Sequence, residues 1–272
     1  MGGNMNRRHF IAATGATALL YPVRGLAQTD DLTRLLAEVA ADPSMVEDSW
    51  AYREPSVTRG VGHGTPSTRK LSQTALDMII AFEVASPAAY EAKYRRPIWP
   101  KGQSGVTIGV GYDLRFANRA FIDRDWPMLP QADRSLLYTV AGLGGLAAKN
   151  ALASVRSVVI PWEPARTQFM AFIPYPTKDT EKAYPNCSEL PDDCFGALVS
   201  LIYNRGPAMS PNSVKRKEMY RIKQLMAARN FADIPAQIRS MKRIWQGDPN
   251  ARGLLRRREA EALLFEKGLR SA

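Results

Sequence analysis

The chain has 272 residues, 45% of them hydrophobic and 23% charged, enough to bury a core in one or two domains. Its formal charge of +11 favours polyanionic partners, which include nucleic acid, anionic lipid and an anionic cell wall. Two histidines and two cysteines are too few for a typical zinc site, and a histidine-assisted nucleophile would have to use His63 in the loop-like Gly60-Val61-Gly62-His63-Gly64.

From the amino terminus, Asn6-Arg7-Arg8-His9-Phe10-Ile11 resembles the twin-arginine export signature. A mildly apolar stretch runs from Phe10 to Val23, and Gly25-Leu26-Ala27 offers a cleavage site. Residues 1–27 are therefore expected to be a signal peptide, and the protein to be periplasmic or secreted. That segment holds Arg7, Arg8 and Arg24 and no acid, so the remainder keeps +8 of the +11. Export disfavours nucleic acid as the target. No run of 18 apolar residues occurs, so no transmembrane segment is expected.

Residues 28–69 read as an N-terminal helix and linker. Leu32, Leu35, Leu36 and Val39 share one face of a helix over Asp31–Ala41, which Pro43 ends. Residues 54–69 are rich in Gly, Pro, Ser and Thr and form a linker or an embracing arm. The main domain is 70–272. Ser72 is placed to cap a helix running to about Val84, with Ser86-Pro87 ending it. Residues 94–105 read as a loop, and Val106 to Leu114 alternates like a strand. Helices follow at roughly 131–141, 145–156, 163–173, 190–204, 215–228, 232–245 and 253–267, with Gly206-Pro207 as a stop. Cys187 and Cys194, seven apart, are expected to form a disulfide in an oxidising compartment. The fold class is α+β, predominantly α-helical, with a small β-hairpin near the start of the main domain.

Two features carry chemistry. Glu83 follows Leu76, Ile79 and Ile80 at helical spacing and so projects from an apolar face. Burial there would raise its carboxyl pKa, as a general acid requires. The second feature is Thr107-Ile108-Gly109-Val110-Gly111-Tyr112-Asp113. A turn at Gly109-Val110-Gly111, with the glycines at positive φ, makes Thr107 and Asp113 cross-strand neighbours. Directly opposed side chains have Cβ atoms about 5 Å apart. A hydroxyl and a carboxylate then stand side by side, expected to face Glu83 across an open groove.

Phe82-Glu83 with Tyr90, followed by Gly105-Val106-Thr107-Ile108-Gly109-Val110-Gly111-Tyr112-Asp113, resembles the catalytic hairpin of the phage-type lysozyme superfamily. Ala197 to Gly206 resembles that family's central helix and Gly253 to Phe265 its last helix, so the similarity spans about residues 70–268. No acid lies between Ala92 and Val106, and Asp113 just after the glycines is similar to the pesticin-like muramidase branch. The resemblance implies a lysozyme-like fold that cleaves the β-1,4 bond of peptidoglycan glycan strands between N-acetylmuramic acid and N-acetylglucosamine. It implies Glu83 as general acid, with Asp113 and Thr107 positioning water for an inverting step. No metal or organic cofactor is implied. Asn204 is a candidate substrate contact or a helix cap, Glu91 is the fallback second acid, and one of Arg256, Arg257 and Arg258 holds Glu83. The rival readings are a lytic transglycosylase and a catalytically inactive wall-binding protein on the same fold.

Overall fold

A computed structural model of the chain describes Met1, residues 30–54 and residues 57–271. Apart from Met1, the expected signal peptide lies outside the described residues.

Helix starts follow local capping chemistry. Asp30 accepts from the Thr33 amide (2.7 Å) and opens α1, Asp31–Ala41. The short α2, Ser44–Ser49, follows Pro43. Ser72 accepts from the Ala75 amide (3.2 Å) and opens α3, Gln73–Val84, as its spacing predicts. Ser86-Pro87 does not simply end that helix. Ala85 takes φ 62° and ψ −53°, and the Ser86 amide donates to Val84 O at 2.7 Å, a strained γ-turn of positive φ. Ser86 then caps a new helix, α4 (Pro87–Lys93), in which Pro87 occupies the first turn, where no amide donor is missed.

The only strand pair among the described residues is antiparallel: β1 (Thr107–Ile108) and β2 (Tyr112–Asp113). Beyond it lie α5 (Arg119–Asp125), α6 (Gln131–Tyr138), α7 (Gly145–Ala151) and α8 (Trp162–Phe172). Next come α9 (Pro174–Ala183), α10 (Asp192–Arg205), α11 (Lys217–Ala227), α12 (Ile234–Ser240) and α13 (Arg252–Arg270). The expected helices are present, several of them ending in a tighter 3₁₀ turn. Proline at 174 and 176 suggests a break, yet both fall in the first turn of α9, which tolerates them. Gly206, at φ 74°, ends α10 where the sequence puts the stop. The fold is predominantly helical with one small hairpin.

α10 and α13 pack along one another, and α3 lies against both. α1 and α2 dock on α13 and α3, so residues 30–49 belong to the helical body and are not a tether. Residues 57–62 are not a free linker either: Arg59, Gly60, Val61 and Gly62 are buried. No described helix is long and apolar enough to cross a membrane.

In place of the expected disulfide, Cys187 and Cys194 are separate buried thiols. Cys187 Sγ donates toward Tyr184 O (3.2 Å), whereas Cys194 Sγ turns to Phe265 O (3.1 Å) on α13. Cys194 sits in the first turn of α10, whose packing aims its side chain at α13 and away from Cys187.

Candidate functional site

Glu83 lies at the last turn of α3. That helix is not a surface helix with one apolar stripe: every residue from Met78 to Val84 is buried. The burial of Glu83, at 3% exposure, therefore comes from enclosure by neighbouring helices. A carboxylate so placed must be paired. Arg257 of α13 donates from Nη1 to Oε1 at 2.9 Å, and Arg53 donates from Nη2 to Oε2 at 3.2 Å. Arg59 adds a third positive charge. Burial pushes the carboxyl pKa up, but Arg257, Arg53 and Arg59 together outweigh it and hold the group below its ordinary value. This reverses the expected direction: in this conformation the surroundings of Glu83 favour its charged form.

The structure selects one arginine of three. Arg257 reaches Glu83, Arg256 points outward to Glu38 (3.0 Å), and Arg258 is buried against Glu261 (2.8 Å). Arg257 spans from Glu83 to Ser200 and Glu261, so Glu83 is tied into a polar seam between α10 and α13.

The hairpin has the predicted register. Thr107 pairs with Asp113 and Ile108 with Tyr112, around a turn with φ 57° at Gly109 and 78° at Gly111. The indole of Trp126 fills the space beside Gly109. Gly111 lies over Glu83: a Cβ there would sit 3.1 Å from Oε2 and 3.4 Å from the Tyr203 hydroxyl. The bare turn thus allows the hairpin tip to rest directly on the acid.

Asp113 and Thr107 are both buried, at 2% and 3% exposure. Asp113 Oδ1 accepts from the amides of Gly105 (3.0 Å) and Arg115 (2.9 Å), fastening the hairpin base. Burial raises the Asp113 pKa, and the two amides with Arg53 and Arg59 offset this only in part. Thr107 Oγ1 lies 3.4 Å from Gly105 O.

Asn204, near the end of α10, is not a helix cap. Its Oδ1 accepts from Arg258 Nη2 and its carbonyl from Arg59 Nη2, each at 3.2 Å. Asn204 and Glu83 line one small cavity, and Thr107 and Asp113 do not reach it. Glu91 is engaged elsewhere. It accepts from the Trp162 amide (2.7 Å) at the start of α8 and pairs with Arg95 (3.1 Å).

The expected open groove is absent from this conformation. The cavity at Glu83 has a volume of about 10 Å³, room for about one water and none for a sugar ring. Its walls include Trp50, Arg53 and Arg59. Residues 50–54 and 57–62, from the stretch read as an N-terminal helix and a linker or embracing arm, pack over Glu83, and their close packing is the physical reason for the difference.

Sequence reasoning missed Arg53, Arg59 and Tyr203. Tyr203 is one residue before Asn204 in the motif that resembles the central helix, so its position was available. Its hydroxyl is buried, without a hydrogen-bond partner among the described residues, and its pKa is pushed up by burial and by Glu83. Nothing in the Gly- and Pro-rich surroundings of Arg53 and Arg59 singles them out. Among the described residues no three His, Cys, Asp or Glu side chains cluster as metal ligands. Neither a family model nor a curated protein sequence matches the chain.

Proposed function

We propose that the protein is an exported muramidase that cleaves the glycan strands of peptidoglycan, with Glu83 as the group that protonates the leaving oxygen. One observation carries this reading. A helix-borne carboxylate, buried and cradled by arginines, lies under a glycine turn whose strands pair Thr107 with Asp113. Hydrolysis of a glycosidic bond needs an acid on one side and a water-directing carboxylate on the other. Asp113 and Thr107 are assigned the second role and Asn204 a glycan contact. The basic surface suits an anionic wall.

Glu83→Gln keeps the shape and accepts a hydrogen bond from Arg257, but it delivers no proton. Solubilisation of purified peptidoglycan is expected to fall about 100-fold or more, with the helical circular dichroism retained. Wild-type solubilisation by this variant overturns the assignment.

A lytic transglycosylase is the second reading, favoured by the tethering of Asp113 Oδ1 to the Gly105 and Arg115 amides. A carboxylate engaged in holding the hairpin suits a mechanism that needs a single acid. Mass analysis of the fragments separates the two, since hydrolysis leaves reducing ends and the transglycosylase leaves anhydro ends.

A further inference from the structure

The groove over Glu83 is filled by the protein's own N-terminal arm. Trp50 packs edge-on against Tyr94 of the loop after α4, with centroids 5.5 Å apart, and Arg53 reaches from beside it to Glu83. Past residues 55–56 the chain comes back against the hairpin. The Asp113 amide donates to Arg59 O (3.1 Å), so the arm runs along β2, and Gln168 Nε2 donates to Gly60 O (2.8 Å). Gly60, at φ 74°, presses on Tyr112, and Gly62 lies close against the Tyr175 ring. A Cβ at either glycine would overlap those neighbours, so the fit depends on bare backbone.

We propose that residues 50–54 and 57–62 are an inhibitory strap, and that the protein is held latent until a glycan strand or another wall component displaces it. This rests on the muramidase reading of Glu83. Two features show that the strap both closes the site and is poised to leave it.

The closure is chemical as well as steric. Two of the three arginines around Glu83, Arg53 and Arg59, belong to the strap, and only Arg257 belongs to the body. When the strap leaves, the acid loses both charges. When a glycan strand takes the strap's place, the carboxyl stays covered but keeps only Arg257 beside it, and so moves toward the protonated form that a general acid needs. Emptying the groove and arming the acid are thus one event.

The strap also carries unsatisfied polar atoms. Trp50 Nε1, Arg53 Nη1 and Arg59 Nε are buried without a protein hydrogen-bond partner among the described residues, and the cavity they border has room for about one water, too few for all three. A buried polar atom without a partner is less favourable than a solvated one. Burial, with repulsion from Arg53 and Arg257, also pulls the Arg59 pKa down to about 10. Lifting the strap returns these groups to water. Closure is therefore less favourable than its apolar contacts alone suggest.

The test uses the full chain with wedges in the strap. Gly60→Val and, separately, Gly62→Val introduce side chains that overlap Tyr112 and Tyr175, and Arg53→Ala removes the charge over Glu83. Hydrogen exchange of the 106–114 amides reports opening independently of activity, because the Asp113 amide is held by Arg59 O. Melting by circular dichroism confirms folding; a wedge that fails to fold is replaced by Arg53→Ala, the milder change. Faster exchange at 106–114 is expected together with at least a ~10-fold rise in peptidoglycan solubilisation, since a binding-competent fraction near 1% permits up to ~100-fold. Adding Glu83→Gln should abolish the rise.

Fast exchange at 106–114 in the wild-type chain overturns the strap. So does a wild type that is as active as the opened variants and dependent on Glu83, and in that case the muramidase reading stands. If exchange shows the hairpin opened and no variant attacks the wall, the muramidase reading falls and the proposal falls with it.

Discussion

Two glycine-rich segments lie near one another at the site, residues 105–111 of the hairpin and 60–62 of the strap, and they use glycine differently. In the hairpin, Gly109 and Gly111 at positive φ reverse the chain so that residues a few places apart pair with each other. In the strap, Gly60 and Gly62 let backbone approach Tyr112 and Tyr175, which are remote in sequence. The first use is complete within seven residues, and the second exists only once the partner surface has folded. The same split divides the charges on Glu83: Arg257 is fixed by a long helix of the body, and Arg53 by an arm laid over it.

The largest effect should come from breaking the body side. Arg257→Met leaves Glu83 and Glu261 short of their shared cation in the core, and loss of one partner of a buried pair costs about 3–5 kcal/mol. Glu83→Gln in the same chain should recover part of this. Arg53→Met removes one charged hydrogen bond, about 1.5–3 kcal/mol, and frees an unpartnered Nη1, so its loss should be the smaller. Urea melts of the three variants check the order; equal losses for Arg257→Met and Arg53→Met would mean that the arm is as much a part of the core as α13.

Next in size are the glycines. Gly109→Ala forces alanine to φ 57° and drives its Cβ into the Trp126 ring, which together should cost about 2–4 kcal/mol. Gly64→Ala, at φ 77° with nothing within 4 Å of its Cβ, should cost only the backbone part, about 1 kcal/mol. A Gly64 variant as unstable as the Gly109 variant would show that glycine just past the strap is held for something other than close approach.

Local rules explain what could be read in advance. Ser72 capping α3, the Gly109-Val110-Gly111 turn, the Thr107–Asp113 pairing and the stop at Gly206 each depend on interactions within a few residues. Glu83 stood out as an acid at an apolar spacing, and it is buried. Its protonation state did not follow, because that is set by Arg53, Arg59 and Arg257, which come from opposite ends of the chain. The strap was legible only as one of two alternatives, a linker or an embracing arm, because Gly, Pro, Ser and Thr describe a flexible segment equally well whether it floats or lies pressed on Tyr112. Ser86-Pro87 marked the end of α3 correctly, but the helix that it opens went unread, since proline reads as a stop yet suits a first turn.

The smallest effect should appear in the pH dependence, where Glu83 and Asp113 oppose each other. Glu83 has a folded pKa below its ordinary value, so its stabilising contribution is present above the unfolded carboxylate pKa and is lost as pH falls through the folded value. Asp113 has a folded pKa above its ordinary value, because burial outweighs the Gly105 and Arg115 amides and the strap arginines. Its ionisation therefore weakens the fold as pH rises through the ordinary carboxylate range and then through the raised value. Asp113→Asn keeps an oxygen for the two amides and removes the ionisation. The variant should melt above wild type at neutral pH, and the gap should close as pH falls below the unfolded carboxylate value, where wild-type Asp113 is itself neutral. Thermal melts across that range check the sign. The strap sharpens the test: opening it with Gly60→Val takes Arg53 and Arg59 away from Asp113, but it also rehydrates the hairpin face. If rehydration dominates, the effect of Asp113→Asn on the melt shrinks in the opened background, and if the lost arginines dominate, it grows. Rehydration is the larger expected contribution, because burial is the leading cause of the Asp113 shift and the strap covers that face through the Asp113–Arg59 backbone bond.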